Sequence, residues 1–238
     1  MSWGQVGRVA APLRDQVLSA VRQAILDFEL RPGERLIERE LMERLQVSRT
    51  TVRDVLARLG TEGLVTHVPQ RGAVVTVITR EEAADIYEMR ASLEPLAVRR
   101  FVERARPDEV AELREAASTL LEVASKVAAE PGAARPIDAL RAKDSVYEVL
   151  MAGARSPRLT QVLSTLHGQV QFLRATSLSV DGRSLEAAQE IERIVQAIQV
   201  GDAPAAASAC ERHVRKAAEV GLAKLDGLVT ATEGAATA

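Results

Sequence analysis

Apolar residues recur at four-residue steps near the start of the chain. Leu13, Val17, Val21 and Ile25, with Ala20 and Ala24 on the same side, predict a helix over residues 13–28. Residues 1–12 carry no such pattern and read as a loose arm, and Arg31-Pro32-Gly33 ends the helix. Two shorter stripes follow, Ile37, Leu41, Met42 and Leu45, then Val52, Val55, Leu56 and Leu59. Each is a single face at helical spacing. Gln46-Val47-Ser48 between them leaves room only for a corner, and Ser48 is suited to cap the helix that follows. The period then changes. Leu64-Val65-Thr66 and Ala73-Val74-Val75-Thr76-Val77 are β-rich runs joined by His67, Val68, Pro69, Gln70, Arg71 and Gly72, which predicts a hairpin.

Thr79 is placed to cap a further helix, and from Arg80 to Leu225 the chain is helical by composition. Breaks at Arg106-Pro107, Glu130 to Pro136, Gly153 to Pro157, Ser177 to Arg183 and Gly201 to Pro204 divide it into six helices of about 15–25 residues. Aromatic residues and β-branched runs are too scarce for a sheet, so an antiparallel bundle is the economical architecture. The predicted fold is therefore mostly α: an N-terminal winged helix-turn-helix domain followed by an all-α antiparallel helical bundle. The expected domains span residues 10–78 and 79–226, with residues 227–238 as a flexible tail.

The helix opening at Ser48 carries the candidate chemistry. At 100° per residue, Thr50, Arg53 and Ala57 point away from its apolar stripe, and Arg49 lies at the exposed N-terminal end. Hydroxyls and a helix N-terminus can bond phosphates, and arginine can chelate a guanine edge in a major groove. Any αα-corner buries apolar stripes and exposes polar faces, so the corner alone leaves nucleic acid open. The hairpin that follows makes the pattern more specific, because it reads as a wing with Arg71 free to reach a backbone or minor groove.

Charge adds modest support. The net charge of −2 divides into +2 over residues 1–79 and −4 over the remainder, a basic head on an acidic body. Cys210 is the only cysteine, which excludes an internal disulfide framework and a Cys-rich zinc site; it reads as a small buried apolar residue. No apolar run approaches the ~18 residues of a membrane span, and residues 1–12 lack a signal-peptide pattern, so a soluble, cytoplasmic protein is expected.

With both halves in view, the chain resembles the GntR family of bacterial transcription regulators, in the FadR branch, over about residues 13–225. The N-terminal resemblance rests on Glu40-Leu41, Val47-Ser48-Arg49-Thr50, Val52-Arg53, Leu56, Leu59, Gly63-Leu64-Val65 and Arg71-Gly72-Ala73. The C-terminal half looks like the FCD ligand-sensing bundle at Tyr87-Glu88-Met89-Arg90, Glu94, Asp144, Leu159, Ala197-Ile198, Gly201-Asp202, Ala205 and His213. The resemblance implies a homodimer on a short palindromic operator, a repressor by expectation, with an effector in the bundle that alters DNA affinity. Carried over by motif, the DNA-contact positions are Arg39, Ser48, Arg49, Thr50, Thr51, Arg53, Arg71 and Gly72.

Many FCD bundles hold a divalent metal with an Asp, a His four residues later and two further His about 22 residues apart, and imidazoles at such spacing suit zinc or nickel. In this chain Asp144 is followed by Glu148, Ile191 stands at the third position and His213 at the last. An Ile cannot ligate, so no metal cofactor is expected at this degenerate site. Asp144, Glu148 and His213 could still hold a harder metal, bind a polar effector directly or be structural. Arg90 and Arg174 are further effector candidates, since an arginine in a helical core needs an anionic partner; Arg90 could clamp an organic acid or pair with Glu94. His67 could touch phosphate or be solvated, and His167 reads as a core or interface residue. A metal-dependent hydrolase built on Asp144, Glu148 and His213 and an effector-independent architectural DNA-binding protein are the alternatives. The lost ligand and the lack of a Gly-x-Ser-x-Gly nucleophile motif weigh against an enzyme.

Overall fold

The structure, a computed structural model, describes residues 10–129 and 135–236, with side chains over residues 13–129 and 135–226. It forms two compact units: the first runs to Val77 and also takes in His167–Gln169, and the second holds the other described residues from Ile78 on.

The first unit runs α1 (Ala10–Leu26), α2 (Glu38–Leu45), α3 (Arg49–Thr61), β1 (Val65–Val68) and β2 (Gly72–Val75). Val17, Val21 and Ile25 of α1 and Val52, Val55, Leu56 and Leu59 of α3 are buried, as their spacing predicts. Leu13 and Ile37 depart from their stripes: both are exposed, because each lies near a helix end where fewer neighbours cover it. The corner between α2 and α3 is made by Gln46 in the left-handed region (φ 54), whose N–H bonds back to Met42.

Strands β1 and β2 pair antiparallel, Val65 opposite Val75 and Val68 opposite Gly72. The hairpin is tighter than the sequence suggests, since His67 and Val68 belong to β1 and β2 ends at Val75. Pro69 presets its turn. Gln70 follows at φ 65, and Arg71 N–H closes on Val68 O at 3.1 Å, a type II arrangement. The segment before α2 also pairs with the far edge of β2, through Gly33 N–H to Val75 O, Val75 N–H to Glu34 O and Leu36 N–H to Ala73 O. The wing thus gains a third extended edge that the polar sequence Gly33-Glu34-Arg35 gave no reason to expect.

The second unit contains α4 (Arg80–Arg104), α5 (Pro107–Ala129), α6 (Pro136–Gly153), α7 (Pro157–Thr165), α8 (His167–Leu178), α9 (Arg183–Gln199) and α10 (Ala203–Ala236). Helix α4 opens on a reciprocal cap, with Glu82 N–H on Thr79 Oγ1 and Thr79 N–H on Glu82 Oε2 at 3.2 and 2.9 Å. Helix α10 packs on α4 and α9, and α5 packs on α6 and α9. Phe101, Leu113, Leu120, Val146, Leu150, Ile191, Ile194 and Ile198 fill the space between them.

Two expectations need correction. The stretch read as one helix over 157–177 is two, interrupted at Leu166 (φ −100, ψ 2) two residues before Gly168, a poor helix former. The tail expected from residue 227 continues as helix to Ala236, since its Ala- and Glu-containing sequence holds no proline to stop it.

Candidate functional site

The first candidate surface is the leading end of α3. Ser48 caps it, accepting Thr51 N–H at 3.2 Å and sharing a 2.9 Å hydroxyl contact with Thr51. Because Val52, Val55, Leu56 and Leu59 fix the buried face, Thr50, Arg53 and Ala57 are turned outward and exposed. The Arg49 and Arg53 side chains are 65% and 61% exposed. Both reach the same carboxylate: Arg49 Nε donates to Glu38 Oε2 at 2.8 Å and Arg53 Nε to Glu38 Oε1 at 2.9 Å. The bonds from Arg49 and then Arg53 hold the Glu38 carboxyl below its ordinary range. Arg39 projects from the same end of α2, 3.9 Å from Glu43, while Arg71 and Gly72 are exposed at the wing tip. Thr51 is half-buried, and its backbone N–H serves the cap. His67 is exposed on β1. Every residue expected to meet DNA lies in this unit; Glu38 is the member that sequence reasoning left out.

The second candidate is a buried polar cluster within the helical unit. Arg90, Lys143, Arg174 and Arg183 are all buried. Arg90 Nε donates to Glu94 at 2.8 Å, the pairing expected from their spacing; Arg174 reaches the same carboxylate at 3.5 Å and Tyr147 Oη donates to it at 2.7 Å. Arg174 also bonds Asp144 at 3.1 Å and lies over the Tyr147 ring, 3.7 Å from its centre. Gln171 completes Asp144 at 2.7 Å. Beside these, Arg183 grips Glu190 with two bonds of 2.9 and 2.7 Å, and Glu190 takes His213 Nδ1 at 2.5 Å. His213 Nε2 faces Lys143 Nζ at 3.0 Å.

The electrostatics follow from burial and pairing. Burial alone would raise Glu94, yet Arg90 and Arg174 overcome it and hold its pKa at about 2. Glu190 is likewise held at about 2 against burial, by His213 and Arg183. Burial and then the Lys143 ammonium depress His213 to about 3, despite Glu190. Its imidazole is therefore neutral, with Nδ1–H directed at Glu190 and Nε2 left to accept. Burial, followed by the field of Arg174, Arg90 and Arg183, pulls Lys143 well below the usual lysine range. Among the described residues Lys143 has no carboxylate partner, and Arg90 Nη1 and Nη2, Arg174 Nε and Arg183 Nε have no hydrogen-bond partner.

The cluster corrects the sequence reading in three places. Glu148 is exposed on α6 and takes no part, and among the described residues no group of three His, Cys, Asp or Glu is placed to hold a metal ion. Asp144 and His213 are engaged by Arg174 with Gln171 and by Lys143 with Glu190, so the proposed trio never assembles. His167 is exposed at the first turn of α8, so the core half of its reading fails while the interface half is untouched. Ile191 sits in the apolar core, and Cys210 is buried there with burial pushing its thiol up. Lys143, Arg183 and Glu190 were missed. The signal for Lys143 was present: with Leu140, Val146 and Leu150 it falls on the buried stripe of α6.

The comparisons with known proteins decide the family. Residues 85–216 match the FCD domain, more than half of the chain, and residues 13–75 match the bacterial regulatory proteins of the gntR family. The chain belongs to the GntR family. Among GntR-family relatives, it is 43% identical over 90 residues to the Nta operon transcriptional regulator of Aminobacter aminovorans, a match covering 38% of this chain and 43% of that protein. The HTH-type regulator YdhC of Bacillus subtilis is 24% identical over 77% of this chain and 80% of its own length. In fold, Escherichia coli McbR/YncC aligns over 89% of this chain and 95% of its own, with TM-score 0.70 and 20% identity. This GntR-family chain is thus a DNA-binding transcription regulator with a winged helix-turn-helix head and an FCD domain of the kind that takes small-molecule effectors.

Proposed function

We propose that this regulator acts as a homodimer on a palindromic operator and represses transcription until a small organic acid binds its FCD domain. Arg39, Ser48, Arg49, Thr50, Thr51, Arg53, Arg71 and Gly72 contact the duplex, with Arg49 and Arg53 nearest the base edges. The observation that carries this reading is the capped, outward face of α3, where two arginines and a threonine are exposed over a fully buried apolar stripe.

For the effector, the buried cluster supports an anion held directly by protein cations, without a metal. Arg90 has two terminal nitrogens lacking acceptors, and Lys143 lacks a carboxylate; both are buried, where an unmet donor costs about 1–3 kcal/mol. A carboxylate entering beside Arg90, Lys143 and Arg174 would supply the missing acceptors. Asp144 and His213 serve as the brackets that hold Arg174 and Lys143 in place. Such an acid changes DNA affinity only by binding two states of the regulator unequally. The protein is no enzyme in this reading and works in the cytoplasm; no helix among the described residues is long and apolar enough to cross a membrane.

The test begins with an operator selected from a random duplex pool by the full-length protein. Chelator-treated protein is then titrated with a panel of short mono- and dicarboxylic acids, followed by calorimetry and release of that operator. Metal-independent binding that Arg90→Ala or Lys143→Ala abolishes supports the proposal. Binding of acids only after a divalent metal is restored would overturn it.

A further inference from the structure

Glu38 stands where a DNA-binding surface has least use for a negative charge. It is the first residue of α2, its side chain is 29% exposed, and it lies between the two arginines assigned to the duplex. A carboxylate there repels phosphate and weakens indiscriminate binding. Its geometry suggests what it gives in return. Each carboxylate oxygen takes one Nε, Oε2 from Arg49 and Oε1 from Arg53. Among the described residues no hydrogen bond engages the terminal nitrogens of either guanidinium, which are the atoms that chelate the O6 and N7 edge of guanine.

Arg49 and Arg53 are four residues apart on one helix face, where like charges repel and splay. A single carboxylate bonded to both cancels that repulsion and fixes two long side chains that would otherwise sample many rotamers. We propose that Glu38 is the positioning residue for sequence readout: it presets the Arg49 and Arg53 forks and trades general affinity for discrimination between sequences. This rests on the reading that Arg49 and Arg53 meet base edges. It adds that their selectivity comes from a third residue that need not touch DNA. Removing Glu38 should therefore move specific and non-specific binding in opposite directions, which mere loss of a helix-end charge would not do.

The experiment measures affinity for the selected operator and for a scrambled duplex at several salt concentrations, using the full-length protein and its Glu38→Ala, Glu38→Gln and Glu40→Gln variants. Glu40 is exposed in the same first turn, so its variant removes an equal charge without touching either arginine. Glu38→Ala should bind the scrambled duplex more tightly and the operator more weakly, lowering the specificity ratio by about tenfold, the order of one lost bidentate base contact. Glu38→Gln should fall between, and Glu40→Gln should keep the wild-type ratio. Operators carrying 7-deazaguanine should weaken wild-type binding and leave the Glu38→Ala affinity nearly unchanged. An unchanged or increased ratio in Glu38→Ala, or an equal fall in Glu40→Gln, overturns the proposal. Arg49→Ala and Arg53→Ala variants run alongside separate the two ideas: if they retain operator binding, the base-contact reading itself is wrong.

Discussion

The motif of two arginines sharing one glutamate recurs in this chain, and two of its instances lie in opposite surroundings. Glu38 joins Arg49 and Arg53 at the surface of the winged unit; Glu94 joins Arg90 and Arg174 inside the helical unit. At the surface, water screens the ions and can replace any partner, so the pair contributes little to stability and its arginines remain available to another molecule. In the interior every partner is needed, because removing one leaves charge with neither water nor counter-ion. Burial, rather than residue type, decides how much of the fold's stability each arginine triad carries.

The largest effect that would break this contrast is at Glu94. Glu94→Ala should cost about 3–5 kcal/mol of stability, the range for orphaning a buried charge, measured by denaturant unfolding. Glu38→Ala should leave the unfolding midpoint where it was. Acid sharpens the distinction. Since the folded-state pKa of Glu94 is depressed to about 2, its contribution is fully present above the ordinary glutamate range and is lost as pH falls through about 2. Glu94→Gln should remove that part of the acid limb, whereas Glu38→Gln should alter the limb far less, because water screens its carboxylate.

A smaller effect is expected at Tyr147, which donates to Glu94 at 2.7 Å and underlies Arg174. Tyr147→Phe keeps the ring and loses only the hydroxyl, so a destabilisation of about 1.5–3 kcal/mol is expected, typical of a hydrogen bond to a charged group. Smaller again is Ser48→Ala, which removes the cap of α3 and should cost about 1 kcal/mol, with Ser48→Gly costing less. Both are read from thermal or denaturant melts.

The winged unit was the more legible of the two in the sequence. Its stripes, its cap at Ser48 and its hairpin are local, set by residues within a few positions of one another. The pairing of Gly33–Leu36 on β2 was hidden because it joins segments about 40 residues apart and uses backbone atoms only. In the helical unit, Arg90 with Glu94 was readable as neighbours on one helix turn. Lys143 against His213 and Arg174 against Asp144 were not, since a helix's own stripe can turn a polar residue inward but does not name its partner on another helix. Glu148 misled because four-residue spacing places it near Asp144 in angle, yet the stripe of α6 turns it outward.

The most direct measurement is duplex affinity against salt concentration for the Arg49→Ala/Arg53→Ala double variant, with its unfolding midpoint recorded in parallel. The account predicts operator binding weakened by about 100-fold or more, a salt dependence shallower by up to about two counterions, and an unchanged midpoint. Wild-type affinity and slope in a folded double variant would contradict it.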